Sequence, residues 1–66
     1  MSQRISLALR EARSQKGMTQ VDLAKKAKVS QAYIARLEAG EKKNPSLAIV
    51  QRLAKALGVP IGELVQ

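Results

Sequence analysis

The chain has no Cys, His, Phe or Trp, and only one Tyr among its 66 residues. Without Cys there is no disulfide to reinforce a small core and no reactive thiol. Without His or Cys, the usual metal ligands, the Ser/His and Cys/His nucleophile pairs and the common general base are all missing. The five carboxylates, Glu11, Asp22, Glu38, Glu41 and Glu63, are scattered, and the four glycines are isolated instead of forming a phosphate-cradling loop. Neither an enzyme nor a metal or cofactor is expected. The scarcity of aromatic rings also argues against single-strand and RNA modules, whose bases stack on several aromatic side chains.

Long apolar runs are lacking too. The longest aliphatic run, "LAIV" at 47–50, is far too short to span a bilayer. The start, "MSQRISLALR", has neither the apolar core nor the small-residue cleavage site of a signal peptide. A soluble, cytoplasmic protein with no membrane partner is expected.

What the sequence has in excess is positive charge. Twelve Lys and Arg against five acids give a formal net charge of +7, which on so small a surface favours a polyanionic partner. With stacking side chains scarce, a double helix read through its grooves is the better polyanion. The length suits one domain over residues 1–66, with a thin core, since a chain of this size buries only about 60% of its unfolded surface.

Apolar positions recur with helical period, and an all-α chain follows. At about 100° per residue, Ile5, Ala8, Leu9 and Ala12 share one face of a first helix, with Leu7 off that face and Gly17 at its end. Thr19 caps a short second helix, where Asp22 completes an approximate capping box, and Leu23, Ala24 and Ala27 turn inward. After the tight turn "KVS", Ser30 caps a third helix that buries Ile34 and Leu37 and stops at Gly40. The polar loop "EKKNPS" leads to Ser46, the cap of a fourth helix with Leu47, Val50, Leu53, Ala54 and Leu57 inward and Arg52 outward. Gly58 ends it. A last short helix is expected from about Pro60, with Ile61 and Leu64 inward. "LAKKAKVS" at residue 23 and "LAKALGVP" at residue 53 echo one another as two helix ends running into helix starts.

The third helix, "SQAYIARLEAG", is unusual in its outer face. Gln31, Ala32, Ala35, Arg36 and Ala39 lie opposite Ile34 and Leu37, with Tyr33 on the flank. A solvated face is normally filled with long charged side chains, and this one is bare. A major groove admits one α-helix. In it Arg can bond guanine twice, Gln can do the same with adenine, and Ala can touch a thymine methyl. Small residues let the backbone come close enough for Gln31 and Arg36 to reach base edges. Two short helices joined by a tight turn, followed by a basic loop, are what a helix-turn-helix requires.

From Arg13 to Leu64 the chain closely resembles the helix-turn-helix domains of the phage lambda repressor and Cro type, also called the xenobiotic-response-element type. "TQ", "LA", "VS", "YI", "LE", "G", "PSL" and "LAKALGV" occur in the family's order and spacing. The resemblance implies a five-helix lambda-repressor-like bundle whose second helix crosses the DNA backbone and whose third enters the major groove. It places Gln31, Ala32 and Arg36 at base-reading positions and Gln20 on a phosphate. Thr19, Ser30 and Tyr33 border the bases or backbone, and Lys42, Lys43 and Asn44 grip the backbone beyond the groove. Arg13 and Glu38 match a structural ion pair between the first and third helices. Where this chain has Lys28 the family often has Gly, so left-handed backbone is expected there.

The function expected from these features is a sequence-specific, double-stranded-DNA-binding transcriptional regulator. It would act as a homodimer on an inverted repeat, probing two half-sites about 34 Å apart. Ile61, Leu64 and Val65 are the candidate dimer contacts, since they cannot all point into a thin core. Phage lysogeny repressors, antitoxins and restriction-modification controllers all resemble the chain, so RNA polymerase or a toxin is a further candidate partner. With the chain stopping at Gln66, no effector pocket is expected. The alternative is a protein-interaction adaptor built on the same bundle, with electrostatic binding only. A membrane-surface protein is disfavoured because the long charged side chains are spread around the bundle.

Overall fold

Side chains at the helix ends decide where the elements lie. The computed structural model describes residues 2–41 and 45–65. It contains α1 (Ser2–Gln15), α2 (Gln20–Ala27), α3 (Gln31–Glu38) and α4 (Leu47–Leu57), followed by a 3-10 turn over Ile61–Glu63. Thr19 Oγ1 accepts the Asp22 N–H at 3.0 Å, and the Asp22 carboxylate accepts the Thr19 N–H at 3.0 Å, a reciprocal capping box. Those two Thr19 interactions, backbone first, hold the Asp22 carboxyl below its ordinary range. Ser30 Oγ accepts from the Tyr33 N–H at 3.0 Å, and Ser46 Oγ from the Ile49 N–H at 3.2 Å. A serine cap of this kind stabilises its helix by about 1 kcal/mol.

The echo in the sequence is one structural motif used twice. At the end of α2, the Val29 N–H reaches Ala24 O at 3.0 Å with Lys28 left-handed, at φ 60° and ψ 44°. At the end of α4, the Val59 N–H reaches Ala54 O at 3.0 Å with Gly58 left-handed, at φ 70° and ψ 32°. The backbone geometry is shared, but at residue 28 a Cβ sits where glycine is preferred. Lys28→Gly is therefore expected to stabilise the fold by up to about 1 kcal/mol, which raises Tm by about 4–8 °C in a domain of this size. An unchanged or lower melting temperature by circular dichroism would contradict a strained Lys28.

The helices close on one apolar cluster. Leu9, Leu23, Ile34, Leu37 and Leu53 are each 0% exposed, one or more from every α-helix. α2 packs on both α3 and α4, and α1 packs on α3. Ala24, Ala27 and Ala54, all buried, keep those contacts close. None of the helices among the described residues is long and apolar enough to cross a membrane.

Four expectations are corrected. The described residues hold four α-helices and not five, because the last segment makes only a three-residue 3-10 turn. Pro60 is extended, at φ −63° and ψ 146°, and stands before that turn instead of inside it. So short a segment, with Gly62 in its middle, gains too few hydrogen bonds to offset the cost of nucleating an α-helix. Leu64 is 1% exposed and belongs to the core cluster, which agrees with its expected inward place and leaves it unavailable as a dimer contact; the turn closed by Leu64 N–H and Val65 N–H on Ile61 O tucks it inward. Leu47, expected inward, is 63% exposed, since it is the first residue of α4 and precedes the turns that meet the core.

Candidate nucleic-acid interface

The two faces of α3 are built differently. Ile34, Leu37 and Glu38 are buried, Tyr33 and Ala35 are half-buried, and Gln31, Ala32, Arg36 and Ala39 are exposed. The outer face is thus small in profile, with a Gln at its first turn and an Arg at its last. Lys42, Lys43 and Asn44, expected to grip the backbone, lie outside the described residues.

The inner face is tied down by a polar network. Arg13 on α1 donates from Nε to Glu38 Oε2 at 2.7 Å and from Nη2 to Oε1 at 2.9 Å, and from Nη1 to the Met18 carbonyl at 2.9 Å. The Glu38 side chain is 5% exposed and that of Arg13 20%. A third donor comes from α2, where Gln20 Nε2 reaches Glu38 Oε1 at 3.0 Å. Burial by itself would push the Glu38 carboxyl up. Hydrogen bonds from Arg13 and Gln20, with the charges of Arg13 and Arg10, outweigh it and hold the group below its usual range. The Arg13 guanidinium is correspondingly raised, mainly by its hydrogen bonds to Glu38. One carboxylate therefore joins α1, α2 and α3 and fixes the orientation of the outer face.

The remaining flanking residues divide by their partners. Thr19 and Ser30 use their hydroxyl oxygens to cap α2 and α3, which leaves each hydroxyl proton to donate elsewhere. Gln20 is half-buried, with one amide N–H committed to Glu38. Ile61 is half-buried and packs on the core, and Val65 is 42% exposed.

Arg52 has a role that the sequence reading missed. It lies on the outward side of α4, yet its Nε donates to Ala27 O at 3.0 Å and its Nη2 to Lys28 O. It thereby satisfies carbonyls left over at the end of α2. The only signal for this in the sequence is a helix end short of partners, and which cation supplies them depends on how α4 crosses α2. Among the described residues no three Asp or Glu side chains gather where they could hold a metal ion.

Residues 9–64 match the profile of the helix-turn-helix family. The chain is 40% identical over 53 residues to the immunity repressor protein of Bacillus phage phi105, which covers 80% of this chain and 36% of that protein. It is 38% identical over 58 residues to the HTH-type transcriptional regulator DdrOP3 of Deinococcus deserti, covering 88% of this chain and 44% of that one. The chain thus spans less than half the length of either relative. Its fold superposes on the crystal structure of the restriction-modification controller protein C.AhdI from Aeromonas hydrophila with a TM-score of 0.90. That match has 33% identity and covers 96% of this chain and 94% of the other.

Proposed function

The chain belongs to the helix-turn-helix family of the lambda repressor and Cro type, and we propose that it is a DNA-binding transcriptional regulator that reads the major groove with α3. The observation that carries this reading is the bare outer face of α3. Its inner side is fixed by Ile34, Leu37 and the Arg13–Glu38–Gln20 network, while Gln31, Ala32 and Arg36 stand exposed. Arg36 has the donors for guanine, Gln31 the paired donor and acceptor for adenine, and Ala32 the methyl for thymine. Tyr33, Thr19, Ser30 and Gln20 border that face and serve the backbone, and the family resemblance assigns Lys42, Lys43 and Asn44 to backbone contacts as well.

Two copies would bind half-sites one duplex turn apart, about 34 Å, meeting through the last turn, where Ile61 and Val65 remain accessible. A dimer bound over a promoter represses by blocking polymerase, and no further surface is needed for that. The names of the relatives, an immunity repressor and a restriction-modification controller, favour a repressor or autoregulator.

Selection from a random duplex pool at about 150 mM salt tests this, because purely electrostatic binding is weak there. The expected result is an inverted repeat with fixed half-site spacing. If no motif emerges and binding disappears with salt, α3 is not a base reader and a protein-interaction adaptor becomes the better reading.

A further inference from the structure

Lys28 is the one non-glycine residue among those described with a positive φ, 60°, and only Val29 and Ser30 separate it from the first residue of α3. A change in φ or ψ at Lys28 therefore swings the start of α3, where Gln31 and Ala32 stand exposed. The other end of α3 is fixed separately, by Glu38 and its donors from α1 and α2. Arg52 bonds both peptide groups that flank Lys28: its Nε donates to Ala27 O at 3.0 Å and its Nη2 to Lys28 O. The relative orientation of those two planar groups is what φ and ψ of Lys28 define. A planar guanidinium bonded to both carbonyls holds them in one arrangement. At the end of α4, Gly58 takes the same left-handed conformation with no Cβ to oppose it, and needs no such brace.

We propose that Arg52 is a positioning residue for base reading: from α4 it clamps Lys28 in the left-handed conformation and so sets how the first turn of α3 enters the groove. The inference rests on the groove-reading role of α3 and requires no DNA contact by Arg52 itself. A Cβ at residue 28 disfavours the left-handed conformation about fivefold against glycine. Without the clamp the turn samples other arrangements, and the base-reading side chains nearest to it lose their fixed starting point. Charge alone does not account for the place of Arg52, since Lys26, Lys28 and Lys55 line the same shallow depression and no carboxylate does. The attraction comes from the two carbonyls, at the negative end of α2. A lysine at residue 52 keeps the positive charge but lacks the planar fork that fixes two acceptors relative to each other, so it separates clamp from charge.

The test compares the wild type with Arg52→Ala, Arg52→Lys, Lys28→Gly and the double variant Lys28→Gly with Arg52→Ala, each shown to be folded by circular dichroism. Amide hydrogen exchange of the free proteins reads the clamp. In Arg52→Ala the Val29 amide, bonded to Ala24 O, should exchange about tenfold faster, while the Val59 amide, in the same motif at the end of α4, keeps its rate. With Gly at residue 28 the same substitution should change the Val29 rate by no more than about twofold, since glycine holds the conformation unaided. Titration of the selected operator and its single-base variants reads the consequence. Arg52→Ala and Arg52→Lys should each weaken operator binding about tenfold, the scale of one lost base-pair preference. The loss should fall at the positions that Gln31→Ala also affects and spare the preference that Arg36→Ala removes, and the double variant should recover it. Arg52→Lys discriminating like the wild type, losses spread equally over all duplexes, an unchanged Val29 rate, or no recovery in the double variant would overturn the clamp while leaving base reading by α3 intact. If the wild type itself selects no motif, base reading fails and the positioning role fails with it, even where the Val29 rates show the turn to be braced.

Discussion

Arg13→Ala is expected to destabilise the protein by about 3 kcal/mol, the largest single effect anticipated outside the apolar core. The substitution removes two hydrogen bonds to Glu38 and one to the Met18 carbonyl, and strands a carboxylate whose side chain is 5% exposed. Only Gln20 would remain as a direct donor to it. Arg13 itself is one-fifth exposed, which places the expected cost at the lower end of the range for buried pairs. Urea melts of the wild type and variant measure it, and a loss below about 1 kcal/mol would mean the pair behaves as a solvent-screened surface bridge.

The same pair sets a dependence on pH. In the folded protein the Glu38 carboxyl is depressed, so its contribution to stability is fully present above the unfolded carboxyl value, about 4.3. That contribution is lost as pH falls through the lower folded value, because the unfolded chain then binds the proton more readily than the native one. Without Arg13 the carboxyl loses two of the interactions that lower it while burial still pushes it up, so protonation relieves the stranded charge at a higher pH than in the wild type. The stability gap between wild type and Arg13→Ala should therefore narrow as pH is lowered from about 7 to about 3. A gap constant over that range would assign the loss to packing or to the Met18 contact.

Arg36→Ala should cost about 1–3 kcal/mol in affinity for the selected operator and relax preference at one base pair per half-site. Arg36 is exposed in the last turn of α3 and has no role in the core, so the thermal melt should change little. Lys43→Ala provides the contrast: its loss should fall equally on all sequences and reduce the salt slope by about one unit. The readout is titration of the operator, of single-base variants and of a mixed-sequence duplex. If both substitutions cause equal, sequence-blind losses, Arg36 is only a phosphate contact and the groove-reading role of α3 fails.

Much of this fold could be read from short-range patterns. Thr19, Ser30 and Ser46 are capping residues in the sequence and caps in the structure. The apolar positions of α1, α2 and α3 sit where a 3.6-residue period puts them. Lys28 was identified as left-handed because it interrupts a family pattern of Gly, and its φ of 60° agrees. The segment after Pro60 was read in part. Leu64 is inside, as its inward place in the pattern expects, and Ile61 is half-buried, but the segment makes a 3-10 turn too short to count as a fifth α-helix, and Val65 is 42% exposed. The candidate interface divides in the same way. Gln31, Ala32 and Arg36 share a face by period alone, whereas Arg52 is brought to the end of α2, and Gln20 to Glu38, by helix packing.

The sequence by itself determined the all-helical class, the positions of the caps, the inward stripes of α1, α2 and α3 and that of α4 from Val50 onward, and the bare outer face of α3. Those features depend on neighbours three or four residues apart, and helical geometry makes them local. Tertiary structure decided the rest: that Glu38 accepts from both α1 and α2, that Arg52 serves the carbonyls of α2, and that Leu47 stays outside the core. Arg13 and Glu38 are 25 residues apart, as are Arg52 and Ala27. At such separations no periodicity relates two side chains, and their meeting depends on the angle and depth at which whole helices pack.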